Sequence, residues 1–423
     1  MLRVFTAFSG YDSQCLALNV LRGDPDNPNI HSKDEYMYIF NYELVGWSEI
    51  DKYAIQAHNA LFPQWSDRNF GDISKIDWNR VPDFDLFTYS SPCQDFSQAG
   101  KQMGAERGSG TRSSLLWECE RAIQIKRPKY LLFENVAAVV SKKFIDLFQE
   151  WQRTLEDMGY TNFTAVLNAK THGYPTPVPQ NRKRVFMVSI LDCDKPYVFP
   201  EEQPLTQRLA DILEPVVDDS YYLSQDSIDM FNLHAQRNKE KGNGFGWKPT
   251  DGAGIAKTIM RTHDLRAGDN YIKEEILQQK EPVVLGWTRD KKGNVVNRHP
   301  VEVANAVTAA KRDNTQNYVV APINDQDGCS RTIKRQYQQT SPANLLRKDR
   351  LGATGVTDGY RIRKLTPREC FRLMGVSDAD IDKIQAAGIS KSQQYKLAGN
   401  SIVVNCLAAI FRNLFTDDYK KKE

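Results

Sequence analysis

The first 190 residues alternate between two patterns: short apolar runs closed by Gly, Pro, Asn, Asp or Ser, and longer stretches with apolar residues at helical spacing. That alternation predicts buried strands joined by helices, the signature of an α/β sheet. Leu2 to Phe8 predicts a first strand, Ser9-Gly10-Tyr11-Asp12 a small turn, and Ser13 to about Leu21 a helix. Glu43 to Ser48 predicts a second strand ending in Glu49-Ile50-Asp51, followed by a helix from Lys52 to about Leu61. Asp85 to Tyr89, Tyr130 to Phe133, Phe163 to Leu167 and Val185 to Val188 predict further strands, and about 141–158 an amphipathic helix. Polar segments 22–40 and 94–112 interrupt the rhythm as an inserted loop and a lid. Ser113-Ser114 are expected to cap a helix through Leu116, Cys119 and Ile123.

From about residue 192 to 360 the chain is polar, turn-rich and without helical spacing, which predicts a mostly β and irregular domain. Three of its segments resemble one another: Ala256 to Ile259, Ala304 to Thr308, and Ser330 to Ile333. Compact helical structure then returns. Thr366-Pro367-Arg368-Glu369 carries an N-cap residue, a first-turn proline and an acid, and Ala398-Gly399-Asn400-Ser401 precedes an apolar helix over Ile402 to Leu414. The middle domain is therefore an insertion: 1–190 with 361–423 form one domain, and 191–360 the other.

Composition narrows the class. With 40% hydrophobic and 26% charged residues this is an ordinary globular chain. No apolar run reads as a bilayer span, and Met1 to Thr6 reads as a strand rather than a signal peptide. The seven cysteines contain no Cys-x-x-Cys pair, which argues against a zinc ribbon or disulfide framework and for a reducing cytoplasm. A net charge of +3 does not announce nucleic acid. Its distribution says more: between 331 and 368, Arg331, Lys334, Arg335, Arg347, Lys348, Arg350, Arg361, Arg363, Lys364 and Arg368 face only Asp349 and Asp358, a balance suited to a phosphate backbone. A solvated charged surface is the plainer alternative.

Chemistry-bearing residues gather at predicted strand ends, where open α/β sheets bind ligands. Cys93, in Pro92-Cys93-Gln94, follows the strand ending at Tyr89 and is either a nucleophile or a buried thiol closing a strand. Glu49 and Asp72 are either ligand-binding carboxylates or caps and solvated turns. Glu134-Asn135 ends another strand.

Together, Pro92-Cys93-Gln94 with Phe96-Ser97, Glu134-Asn135-Val136, Gln180-x-Arg182-x-Arg184, Arg363 to Glu369 and Gly399-Asn400-Ser401 resemble the motifs of the DNA cytosine-5 methyltransferases, in that family's order. The resemblance covers about 1–190 and 361–415; 191–360 matches by position the family's target-recognition domain, with Thr332-Ile333 similar to its Thr-Leu pair. The first motif departs from Phe-x-Gly-x-Gly-Gly, since Phe8-Ser9-Gly10 continues as Tyr11-Asp12-Ser13-Gln14.

The resemblance implies a Rossmann-like S-adenosylmethionine-dependent sheet, with the cofactor along Phe8, Ser9, Gly10, Glu49, Ile50, Asp72, Ile73, Leu115, Asn400 and Ser401. It implies Cys93 as nucleophile, Glu134 as acid at N3 of the base, Arg182 on O2, Arg184 as supporting cation, and Asn135 as a brace for the Pro92–Cys93 loop. Gln94, Ser97, Lys101, Thr332, Arg335 and Lys348 would meet double-stranded DNA, with the target base flipped out beneath the 94–112 lid. No metal is required. A cytoplasmic monomer is expected, with a cognate restriction endonuclease as a partner to look for. Two other readings stand beside this one. The same reaction on tRNA is disfavoured by the large 191–360 segment, and a catalytically silent DNA-binding module by intact Cys93, Glu134 and Arg182.

Overall fold

The computed structural model describes residues 1–22, 41–91, 115–242, 247–261, 266, 268–275, 284–289, 295–301, 318–319, 356–357 and 360–419. They divide into two compact units: Met1–Tyr221 with Ala235–Ile272 and Lys364–Glu423, and Tyr222–His234 with Lys273–Arg363. Residues 191–221 and 235–272 thus go with the first unit, beyond the expected break at 190. The reason is apolar: Leu209, Ile212, Ala256, Ile259 and Ile272 are buried in its core.

The first unit is built on a six-stranded sheet. Its strands are β1 (Leu2–Ala7), β2 (Tyr42–Ser48), β3 (Leu86–Tyr89), β4 (Tyr130–Val136), β5 (Tyr160–Asn168) and β7 (Lys183–Leu191), in the order β2-β1-β3-β4-β7-β5. The first four run parallel, and β7 is antiparallel to both β4 and β5. A two-residue strand β6 (Gln180–Asn181) pairs in parallel with β8 (Ala256–Lys257).

Side-chain alternation covers both faces of the sheet. Val4, Leu44, Leu86, Leu132, Phe186 and Val188 enter one core, whereas Phe5, Val45, Phe87, Leu131, Phe133, Val185 and Met187 enter the other. The first face is covered by α1 (Ser13–Leu21), α2 (Lys52–Leu61) and the C-terminal helices, and the second by α3 (Leu116–Lys126) and α4 (Ile145–Asp157).

Local signals explain several boundaries. Asp51 accepts from Tyr53 N and Ala54 N and starts α2, a cap worth about 1 kcal/mol. Thr366 and Glu369 form a reciprocal capping box with Pro367 in the first turn of α6 (Pro367–Leu373). At α3 the N-cap is Leu115, without a side-chain cap, in place of the serines expected there.

Two helices depart from the sequence reading. The expected non-helical middle contains α5 (Gln225–Glu240), whose buried residues are only Ile228 and Phe231, too few to show a periodic stripe. Behind α7 (Asp378–Ala386), the residues up to Asn400 form α8 (Lys391–Asn400), followed by α9 (Val404–Tyr419). By length and composition the stretch Lys391–Phe415 could cross a membrane, contrary to the expectation that no run is long enough; its apolar window is 67% buried inside the fold, as a core helix would be.

The second unit contains β10 (Val284–Arg289) between β11 (Val295–Val301) and β12 (Tyr318–Val319), all antiparallel. β9 (Tyr271–Glu275), β13 (Val356–Thr357) and β14 (Tyr360–Lys364) form another sheet.

The basic run of 331–368 is partly neutralised. Arg363 is buried on Glu274, and Arg368 pairs with Asp378 at 3.0 Å and with Asp382. Arg361 lies over the Tyr222 ring. These acids come from outside the 331–368 window, so counting charge within it overstated the patch. The other similar segments, Ala304 to Thr308 and Ser330 to Ile333, lie outside the described residues, as do loops 23–40 and 92–114.

Candidate active site

The parallel strands end along one edge, and the order β2-β1-β3 makes β1 the switch point of the sheet. Beyond β1, Phe8 and Gly10 adopt left-handed backbone (φ 55° and 60°), and a Cβ added at Gly10 would meet nothing within 4 Å. Among the described residues, the space over this turn is open. Gly10 N donates to Glu49 Oε2 (2.9 Å), and Glu49 Oε1 accepts from Ile50 N and Asp51 N (2.8 Å each). Ile50 is 71% exposed beside them.

Asn69, which the sequence reading missed, binds the Glu49 backbone through both ends of its amide and accepts from Gly71 N. It ties the β2 terminus to the turn carrying Asp72; the bond to Gly71 is a local turn, whereas Glu49 lies 20 residues away, beyond any local pattern. Asp72 accepts from Ser74 N and Ser74 Oγ (3.1 and 2.8 Å), and this hydroxyl bond is the largest influence holding its carboxyl below the usual range. Ile73 is buried and Leu115 half-buried.

At the end of β4, Glu134 is 8% exposed and its Oε1 lies 3.2 Å from Arg184 Nε on β7. Register explains the meeting: Val136 pairs with Arg184, and Glu134 with Phe186, on adjacent antiparallel strands. Burial pushes the Glu134 carboxyl up; Arg184, Arg182 and Ser90 pull the other way without prevailing. Asn135 Nδ2 donates to Ser91 O (3.2 Å), directly before Pro92.

Arg182, expected on the base, is 3% exposed, and its guanidinium donates to Ile259 O (3.1 Å), Gly399 O (3.0 Å) and Ser401 O (2.7 Å). Gln180 completes the joint: its amide donates to Leu373 O and accepts from Ile259 N. A Cβ on Gly399 would fall on the Met260–Arg261 backbone, so the close approach requires glycine. Asn400 is exposed at the end of α8, and Ser401 Oγ donates to Ile402 O. Cys93, Gln94, Ser97, Lys101, Thr332, Arg335 and Lys348 lie outside the described residues.

The sheet, with antiparallel β7 beside β4 at the end of four parallel strands, is that of the Rossmann-like S-adenosylmethionine-dependent methyltransferases. Fission yeast (S. pombe) Dnmt2 superposes with a TM-score of 0.59 at 16% identity, covering 99% of both chains, and a prophage DNA modification methyltransferase from E. coli with 0.52. In sequence, residues 34–416 match the C-5 cytosine-specific DNA methylase family. Type II methyltransferase M2.ScrFI of Lactococcus lactis subsp. cremoris is 32% identical, with 98% of this chain and 99% of that protein covered. Orphan methyltransferase M.SPRI of Bacillus phage SPR is also 32% identical, over 88% and 92%. The chain belongs to the C-5 cytosine-specific DNA methylases: it transfers a methyl group from S-adenosylmethionine to C5 of cytosine in DNA.

Proposed function

We propose that the chain methylates cytosine within a specific sequence of double-stranded DNA, through a covalent Cys93–C6 adduct on a base turned out of the duplex. The observation that supports this most directly is the buried Glu134–Arg184 pair at the strand edge, a carboxyl raised by burial beside a fixed cation. Cytosine C5 is a weak nucleophile, and the Cys93 thiolate adding at C6 makes C5 enamine-like. Charge then builds on N3 and O2. Glu134 holds the proton at N3, and Arg184 is the better-placed cation for O2, because Nη1 and Nη2 of Arg182 donate to backbone carbonyls. Asn135 holds Ser91 and thereby the start of the Cys93 loop. Loss of the C5 proton and expulsion of Cys93 restore the aromatic ring.

The residues fit S-adenosylmethionine, which supplies an electrophilic methyl group on a sulfonium centre. Gly10 leaves open space above its turn, exposed Ile50 offers an apolar surface for adenine, Glu49 Oε2 takes only one protein hydrogen bond, and Asp72 suits the adenine amino group. Phe8, Ser9, Ile73, Leu115, Asn400 and Ser401 line the same binding stretch. Glu49→Ala is expected to weaken binding of S-adenosylhomocysteine by about 1.5–3 kcal/mol, roughly 10- to 150-fold, through lost ribose hydrogen bonds. Calorimetry on the folded variant measures this, and unchanged affinity would refute the assignment.

The insertion, 191–360, reads the sequence, and its exchangeable part is the second unit. Replacing 273–363 by the corresponding segment of a relative is expected to change the methylated sequence while leaving the reaction intact, read by bisulfite sequencing. An unchanged methylated sequence would place recognition elsewhere. The protein acts as a cytoplasmic monomer, since every assigned role falls within one chain. With one relative named a type II and another an orphan methyltransferase, a cognate endonuclease is a partner to look for, beside a solitary role.

A further inference from the structure

The first motif departs from the family pattern at Asp12, where that pattern has glycine. The backbone there is left-handed (φ 68°, ψ 61°), a conformation natural to glycine and, among other residues, tolerated best by Asn and Asp. The substitution therefore keeps the turn and adds a carboxylate that is completely buried. A cap for α1 would need one oxygen, and Oδ1 provides it by accepting from Cys15 N at 3.0 Å. Oδ2 points the other way. It accepts from Thr6 Oγ1 at 2.9 Å and sits 3.5 Å from His58 Nε2, also fully buried. His58 stacks on Trp47 at 3.7 Å, one residue before Ser48. A buried carboxyl is stable in such a site only where polar partners meet its oxygens.

Proton accounting gives the contact a direction. Thr6 has one hydroxyl proton, and it goes to Asp12. Thr6 Oγ1 can then only accept at its 3.0 Å contact with Ser9 Oγ, whose single proton is shared between Thr6 Oγ1 and Thr6 O at 2.9 Å. The Ser9 proton is drawn inward, and the hydroxyl presents lone pairs. Ser9 N meanwhile donates to Ser48 O, and Asp12 N to Ser9 O. The Asp12 side chain thus reaches the end of β1 through Thr6, and the Ser9 backbone ties that end to β2.

We infer that Asp12 is a positioning residue for the cofactor, which sets the Ser9–Gly10 turn through the Thr6–Ser9 hydroxyl relay with His58 as its buried counterpart. This rests on the assignment of that turn to S-adenosylmethionine. Asp12→Asn is the discriminating variant. Asn tolerates the backbone and keeps Oδ1 on Cys15 N, but its Nδ2 then faces Thr6 and reverses the relay. Binding of S-adenosylhomocysteine should weaken about tenfold, and KM for S-adenosylmethionine rise similarly, with kcat and KM for DNA within about threefold of wild type. Thr6→Val, which keeps the strand and removes only the relay, should reproduce the loss. A plain capping role predicts instead that both variants change melting temperature alone. Unchanged affinity in folded Asp12→Asn and Thr6→Val, with Glu49→Ala impaired, overturns the inference; unchanged affinity in all three overturns the cofactor assignment as well.

Discussion

A duplex carrying 5-fluorocytosine at the target position is expected to trap this protein covalently, with Cys93 as the attached residue. Addition of the thiolate at C6 and methylation at C5 proceed with fluorine in place. The adduct then stalls, because fluorine cannot leave C5 as a proton does and elimination of Cys93 is blocked. The complex should survive denaturing electrophoresis, require S-adenosylmethionine, and map to Cys93 by mass spectrometry. Cys93→Ser should form no adduct and lose turnover by a factor on the order of 10⁴ or more, since a serine hydroxyl is barely ionised at neutral pH. An adduct formed equally well by Cys93→Ser would mean that another residue attacks the base.

Glu134→Gln should slow adduct formation and turnover by about 10²–10⁴, the usual worth of a general acid. Geometry makes the loss specific. Glu134 is buried 3.2 Å from Arg184, and burial raises its carboxyl despite that cation, so it retains its proton to higher pH than an exposed glutamate. The protonated form is the active one. The wild-type rate should therefore lose the contribution of Glu134 as pH rises through its raised pKa, whereas the amide of Glu134→Gln does not ionise and its residual rate should lack that component. Single-turnover rates across pH measure both. A rate for Glu134→Gln within a few-fold of wild type would assign the acid role elsewhere.

What could be read from the residues depended on how local the cause was. The limits of α1 and α2 follow from turn and cap residues within a few positions, and Thr366 with Glu369 announces α6 because a capping box is a four-residue device. The strand ends that bear Glu49 and Glu134 were legible for the same reason: apolar runs stop where polar residues begin. Pairing was not. That β7 lies between β4 and β5 follows from packing of both faces, and it brings Arg184 to Glu134 across fifty residues of chain. Arg182 was placed on the base by its motif, yet its acceptors come from α8 and the β8 segment, which no local pattern connects to it. Asp12 looked like a missing glycine; the surroundings of its side chain, Thr6 and His58, come from a strand and another helix. Helix α8 went unseen because Lys391 to Asn400 is short and mixed in polarity, and tertiary packing decides it.

The joint at Arg182 also has a consequence in time. Its acceptors Ile259, Gly399 and Ser401 follow it in the chain by 77, 217 and 219 residues. A ribosome making this protein therefore releases the sheet and its arginine long before two of the three acceptors of that guanidinium exist. Until the last segment emerges, the nascent sheet carries a cation destined for burial with only the Ile259 carbonyl, one of its three acceptors, to hold it. The Arg182 joint is thus completed only when residues 399–401 have been made, and the sheet has to wait for them before that guanidinium is fully held.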